Sequence, residues 1–206
     1  PYTAEVFIFT RNGSDWVSTP PTVTHLLANA SRTLLRGISV AFENETIVVG
    51  QKGGPGVTST KDVYVYERNG LYWSSISPTE SVITQSDGLD NDHFGIAVDI
   101  DGDQIIVGAP DNKNRGAAYI YQKGITGWDS ATEYKLIGSD IQINDDFGRL
   151  VAIDGNTVAI SSRGSGADYV GAVYIFDGAQ DWTDPFEIRI SPISDRSKYD
   201  FGKSID

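Results

Sequence analysis

Short apolar stretches alternate with polar, breaker-rich ones along the whole chain, and none carries the spacing of an amphipathic helix. The segment Phe94-Gly95-Ile96-Ala97-Val98-Asp99-Ile100 alternates apolar with small or polar positions, the period-2 pattern of a half-buried strand. Asp101-Gly102 follows, a strong signal for a type I′ hairpin, whose two central residues need positive φ. Gln104-Ile105-Ile106-Val107-Gly108 is β-branched and reads as a buried second strand. Ala109 to Gly116 is polar and holds Pro and Gly, so a loop is expected. Ala117 to Gln122 forms a third strand. Gly124 and Gly127 bound a turn, and Trp128 leads to a fourth strand around Glu133 to Ile137.

This four-strand scheme recurs. Each copy runs from an aromatic strand through a polar turn to a tryptophan: Phe7 to Trp16, Tyr64 to Trp73, Tyr119 to Trp128 and Tyr174 to Trp182. From Phe7 to Tyr64, Tyr119 and Tyr174 the steps are 57, 55 and 55 residues. Phe94-Gly95, Phe147-Gly148 and Phe201-Gly202 keep the same beat, with Arg36-Gly37 one period earlier. The third copy places Asp154-Gly155 at its hairpin, and the copy near Leu34 places Asn44-Glu45 there. Such self-similarity marks stacked supersecondary units that cannot bury a core alone. Four antiparallel strands per unit make it a propeller blade. The expected fold is therefore all-β, with blades at roughly 1–33 (partial), 34–92, 93–146 and 147–200, and the start of another at 201–206. Three and a fraction blades do not close a ring, since about 4 to 8 are typical. The expectation is continuation in a longer polypeptide or self-assembly of several chains, and the absence of Met fits a processed or excerpted segment.

Composition narrows the function classes. The net charge is −12, from 28 acidic and 16 basic residues, with no basic stripe. Phosphate backbones repel such a surface, so no nucleic-acid partner is expected. No apolar run approaches the ~18 residues of a membrane helix. With zero Cys there is neither a disulfide framework nor a thiolate-ligated metal. Three N-glycosylation sequons begin at Asn12, Asn29 and Asn44, which suits a secreted chain.

Phe94-Gly95-Ile96-Ala97-Val98, followed by Ile106-Val107-Gly108-Ala109-Pro110, resembles an FG-GAP repeat. The resemblance extends over essentially the whole chain, although the Gly-Ala-Pro place holds Gly50-Gln51-Lys52 and Ser161-Ser162-Arg163 in the other copies. It implies the seven-bladed propeller of integrin α-subunits and of some lectins, hence an extracellular or cell-surface binding platform rather than an enzyme. Integrin-type repeats carry a calcium loop between the first two strands. Here that place holds only Asp99-Ile100-Asp101-Gly102-Asp103-Gln104, too short to wrap the 6 to 8 oxygens that calcium takes. No cofactor is expected, and the chain is closer to the short-hairpin variety of the repeat.

Acidic residues gather before each Phe-Gly: Asp87, Asp90 and Asp92, then Asp140, Asp145 and Asp146, then Asp195 and Asp200. They suit either a cation beside His93 or carboxylates that accept backbone hydrogen bonds in a turn. Recurrence in every copy favours the turn. By the same logic Trp16, Trp73, Trp128 and Trp182 are assigned to core packing rather than to a sugar-stacking surface. Neither His25 nor His93 has a nucleophile motif nearby, and phosphate loops and dinucleotide fingerprints are absent. Loops between second and third strands differ between copies while the framework repeats, and binding usually lives on such loops. The contact candidates are Lys52, Lys61, Asn112, Lys113, Arg115, Arg163, Asp168 and Tyr169. Their partner is a protein or a glycan at the cell surface, and a structural subunit of a filament is the further reading.

Overall fold

The computed structural model describes residues 38–51, 62–68, 79–89, 91–164, 171–179, 181–192 and 201–205, and the backbone of 10–12 and 15–17. Everything regular in them is β apart from one 3-10 turn at Asn112–Asn114. Strands β1 (Thr10–Asn12) and β2 (Asp15–Val17) form a short hairpin. Three four-stranded antiparallel meanders follow. The first holds β3 (Ile38–Glu43), β4 (Thr46–Gln51), β5 (Asp62–Glu67) and β6 (Thr79–Thr84). The second holds β7 (Val98–Asp101), β8 (Gln104–Ala109), β9 (Ala117–Gly124) and β10 (Gly127–Leu136). The third holds β11 (Val151–Asp154), β12 (Thr157–Ser162), β13 (Ala172–Asp177) and β14 (Phe186–Ile190).

The hairpins sit one residue later than the sequence suggested. Asp101 pairs with Gln104 and Asp154 with Thr157, so the loop residues are Gly102-Asp103 and Gly155-Asn156. Only the first of each pair has positive φ (55° at both glycines). That is the φ pattern of a II′ turn, which wants Gly first, rather than the I′ turn expected. Asn44 takes the same place in the first sheet with φ 50°, and there the expected loop Asn44-Glu45 stands.

The first strand also begins later than its alternation implied. Gly95 and Gly148 adopt φ 86° and 92°, which no extended strand contains, so Phe94-Gly95 and Phe147-Gly148 are turns rather than strand starts. Each turn docks twice. Gly95 N–H donates to Gly108 C=O in its own sheet, while its carbonyl accepts from Ser39 Oγ in the sheet before. A Cβ on Gly50 would lie 2.2 Å from that carbonyl, and one on Gly108 would lie 2.0 Å from Gly148 O. These glycines are fixed by close backbone approach between sheets. Phe201-Gly202 docks likewise on the third sheet, against Gly171 and Ala172.

The apolar core lies between sheets, not within them. One cluster joins Val48, Val63 and Val65 of the first sheet to Phe94, Ile105, Tyr119 and Trp128. Another joins Ile106, Ile120 and Leu136 of the second to Phe147, Ile160, Tyr174 and Trp182. Phe94 stands edge-on to Tyr119 and Tyr121, and Phe147 edge-on to Tyr174 and Phe176, geometries that suit the ring quadrupoles. Covered from both sides, β9 is buried over five successive residues. The first strands β3, β7 and β11 lie side by side and are tied by carboxylates. Glu43 accepts from Gly102 N–H, Asp101 from Gly155 N–H and Asp99 from Ile153 N–H.

Candidate binding surface

An open cavity of about 800 Å³ lies where the connection before Phe94 meets the loop after β8. Leu89, Asn91, Asp92 and His93 line one wall, and Asp111, Lys113 and Asn114 the other. Its shape depends on unusual backbone. Asn91, His93, Lys113 and Asn114 have φ of 98°, 55°, 49° and 60°, which asparagine tolerates better than most residues. His93 Nδ1 and Asp111 Oδ2 form a close pair across the mouth. Leu89 is 64% exposed and supplies an apolar contact beside these polar groups.

Behind the cavity a polar network holds both walls. Asp92 is buried and its Oδ2 accepts from Leu89 N–H at 2.8 Å and from Asn112 Nδ2 at 2.8 Å. Asp145 repeats the turn, accepting from Gln142 N–H at 2.7 Å. Asp87 accepts from Lys113 and Lys135 Nζ and from Tyr119 OH, each at 2.7 Å. Burial alone would raise the Asp87 carboxyl, but the bonds from Lys113, Lys135 and Tyr119 outweigh it and hold the group well below the usual carboxylate range. Burial and the Asp87 carboxylate together push the Tyr119 phenol well above its ordinary value, so it stays a neutral donor. One unit later Asp140, Tyr174 and Arg189 repeat the trio. Ser86 and Ser139 each cap a fourth-strand glutamate, Glu133 and Glu187.

Residues 79–121 and 131–176 match the FG-GAP repeat family. The chain carries FG-GAP repeats. Each matched segment starts at or within the last strand of one sheet and ends in the third strand of the next, so the FG-GAP unit straddles two sheets and contains the junction. No curated protein matches the chain.

Against this frame the predicted residues divide clearly. Phe94, Gly95, Phe147, Gly148, Phe201 and Gly202 form the FG turns. Trp128 and Trp182 are buried in the two inter-sheet cores, as their recurrence implied. Of the loop after β8, Lys113 and Arg115 are exposed, but Asn112 is not a contact residue: it is buried and bonded to Asp92 and Lys135. Asn44 is exposed at its hairpin tip, and Arg163 is exposed just after β12. Only the backbone is described for Asn12, at the end of β1, and for Trp16, in β2. Asn29, Gly37, Lys52, Lys61, Trp73, Asp168 and Tyr169 lie outside the described residues. The residues that sequence reasoning missed are Leu89, Asn91 and Asp111. The available signal was the Leu-Asp-Asn-Asp stretch before Phe94, which its acidity made look purely structural.

The hairpins that would carry a calcium loop in integrin-type repeats are two residues long, and their carboxylates are used on backbone N–H groups. Among the described residues no three His, Asp or Glu side chains converge to hold a metal ion. No helix among them is long and apolar enough to cross a membrane.

Proposed function

We propose that this chain is part of an extracellular, non-enzymatic FG-GAP β-propeller, seven-bladed by the family pattern, that binds a protein partner without a cofactor. Residues 1–206 form one continuous stretch of it, with blades at the boundaries given above. The observation that carries the reading is the open cavity of about 800 Å³ formed by non-repeating loops on a repeating frame. A rigid, twice-docked framework with one wide, polar and partly apolar recess suits recognition of a protein surface. No Trp, Tyr or Phe lines the recess, which speaks for a protein rather than a glycan ligand. An extracellular setting also fits the exposed sequon at Asn44.

The test is surface capture of extracellular and cell-surface proteins from the source organism by immobilised native chain, beside a Leu89→Asp variant and a glycan array. Loss of one defined partner in Leu89→Asp, with no glycan bound, is the expected result. Equal capture by both chains, or glycan binding alone, would sink the proposal. Deglycosylation of native material should also shift the mass of the peptide containing Asn44.

A further inference from the structure

A second recess, of about 360 Å³, opens where the third sheet meets Phe201-Gly202. It is lined by Arg149, Leu150, Ser161, Arg163, Phe201 and Lys203, three cations in a chain of net charge −12. Their placement departs from the repeat. Arg149 follows Gly148 where the second unit has Ile96 after Gly95, and Arg163 stands where that unit has Pro110. Ser161 and Ser162 replace Gly108 and Ala109. The junction elsewhere closed by apolar and small residues is here open and basic. Arg149 and Arg163 are exposed, and neither forms a salt bridge among the described residues. Asp146 is the nearby carboxylate that feels both guanidiniums.

We propose that this recess binds an acidic side chain, flanked by an apolar one, of a protein partner. This rests on reading the chain as an interaction module and adds the ligand class at a second place on it. Guanidinium forks match carboxylates in a planar, bidentate way. Leu150 and Phe201 supply the apolar wall for the neighbouring side chain. The alternative of a sulfated polysaccharide needs an extended basic track, whereas Asp140, Asp145, Asp146 and Asp154 surround this recess along the chain. Their repulsion limits the ligand to a short acidic group, which the local cations select against a generally acidic surface.

The experiment is calorimetric titration of the full chain with a blocked tripeptide bearing aspartate between two leucines, against its asparagine counterpart and a heparin-derived oligosaccharide. The aspartate peptide should bind at least tenfold more tightly than the asparagine one, and weaken as salt rises. The double variant Arg149→Ile with Arg163→Pro restores the second unit's own residues, so it should melt like the native chain and lose that preference. Equal binding of the two peptides, or none, overturns the assignment, as does arginine-dependent binding of the oligosaccharide alone. A Leu89→Asp chain run in parallel separates the two ideas: it should keep the peptide preference. If peptide binding fails while Leu89-dependent partner capture persists, only the acidic-ligand assignment falls.

Discussion

Asp87 takes bonds from Lys113, Lys135 and Tyr119 at once, and so couples the connection before Phe94 to the 3-10 turn and to β9 and β10. Its folded carboxyl is held below the unfolded value near 3.9, so its contribution is fully present above about pH 5. That contribution fades as pH falls toward the folded value. Asp87→Asn should cost about 1–2 kcal/mol at pH 7, and denaturant curves at pH 7 and pH 3 should converge with those of the native chain at the acid end. A gap that persists undiminished at pH 3 would show that the charge is not what matters. A second residue-scale test concerns the tryptophans. Trp182 Nε1 donates to Gln104 Oε1 at 2.7 Å, whereas Trp128 Nε1 is buried with no partner among the described residues. Thr46 holds in the first sheet the register place of Gln104 and is too short to serve. Thr46→Gln should therefore stabilise the chain by about 1 kcal/mol, read as a raised midpoint with unchanged slope in urea.

Elements are joined by glycines of two different kinds, and substitution separates them. A Cβ at Gly102 meets nothing within 4 Å, but φ is 55°, so Gly102→Ala should cost only about 1 kcal/mol of backbone strain. At Gly108 the obstacle is Gly148 O at 2.0 Å, and Gly108→Ala should cost about 3 kcal/mol because the two sheets must move apart. Thermal melts of the pair decide the point, and a smaller loss at Gly108 would mean the junction yields. Much of this was legible in the chain. The period, the tryptophan positions and the β-branched second strands located all three sheets, because period-2 burial leaves a direct trace in residue type. What alternation hid was the break at Gly95 and Gly148. Ile96 and Ala97 continue the apolar pattern of Val98 and Ile100, yet they belong to the turn that docks on the preceding sheet. Asn112 was hidden for a related reason: a polar loop residue looks exposed unless its buried partners, Asp92 and Lys135, are known.

For the molecule as a whole, a core that lies between sheets makes each sheet's stability depend on its neighbours. Phe94 is buried in the cluster shared by the first and second sheets, and Phe147 in the cluster shared by the second and third. Each phenyl removed should cost about 3–5 kcal/mol. In a nearest-neighbour array the loss stays near the damaged junction. Hydrogen exchange should therefore show Phe94→Ala deprotecting β3 to β6 more than β11 to β14, and Phe147→Ala the reverse. The second sheet, party to both junctions, should loosen in either variant. Uniform deprotection of all three sheets by both substitutions would mean that the carboxylate ties along β3, β7 and β11, from Glu43 to Gly102 and from Asp101 to Gly155, bind them into a single cooperative unit. The same data bear on binding. A recess built at a junction, as that beside Arg149 and Arg163 is, keeps its shape only as well as the junction holds. Phe147→Ala should then loosen the acidic recess while Phe94→Ala spares it, so the preference for an aspartate peptide should fall in the first variant and survive in the second.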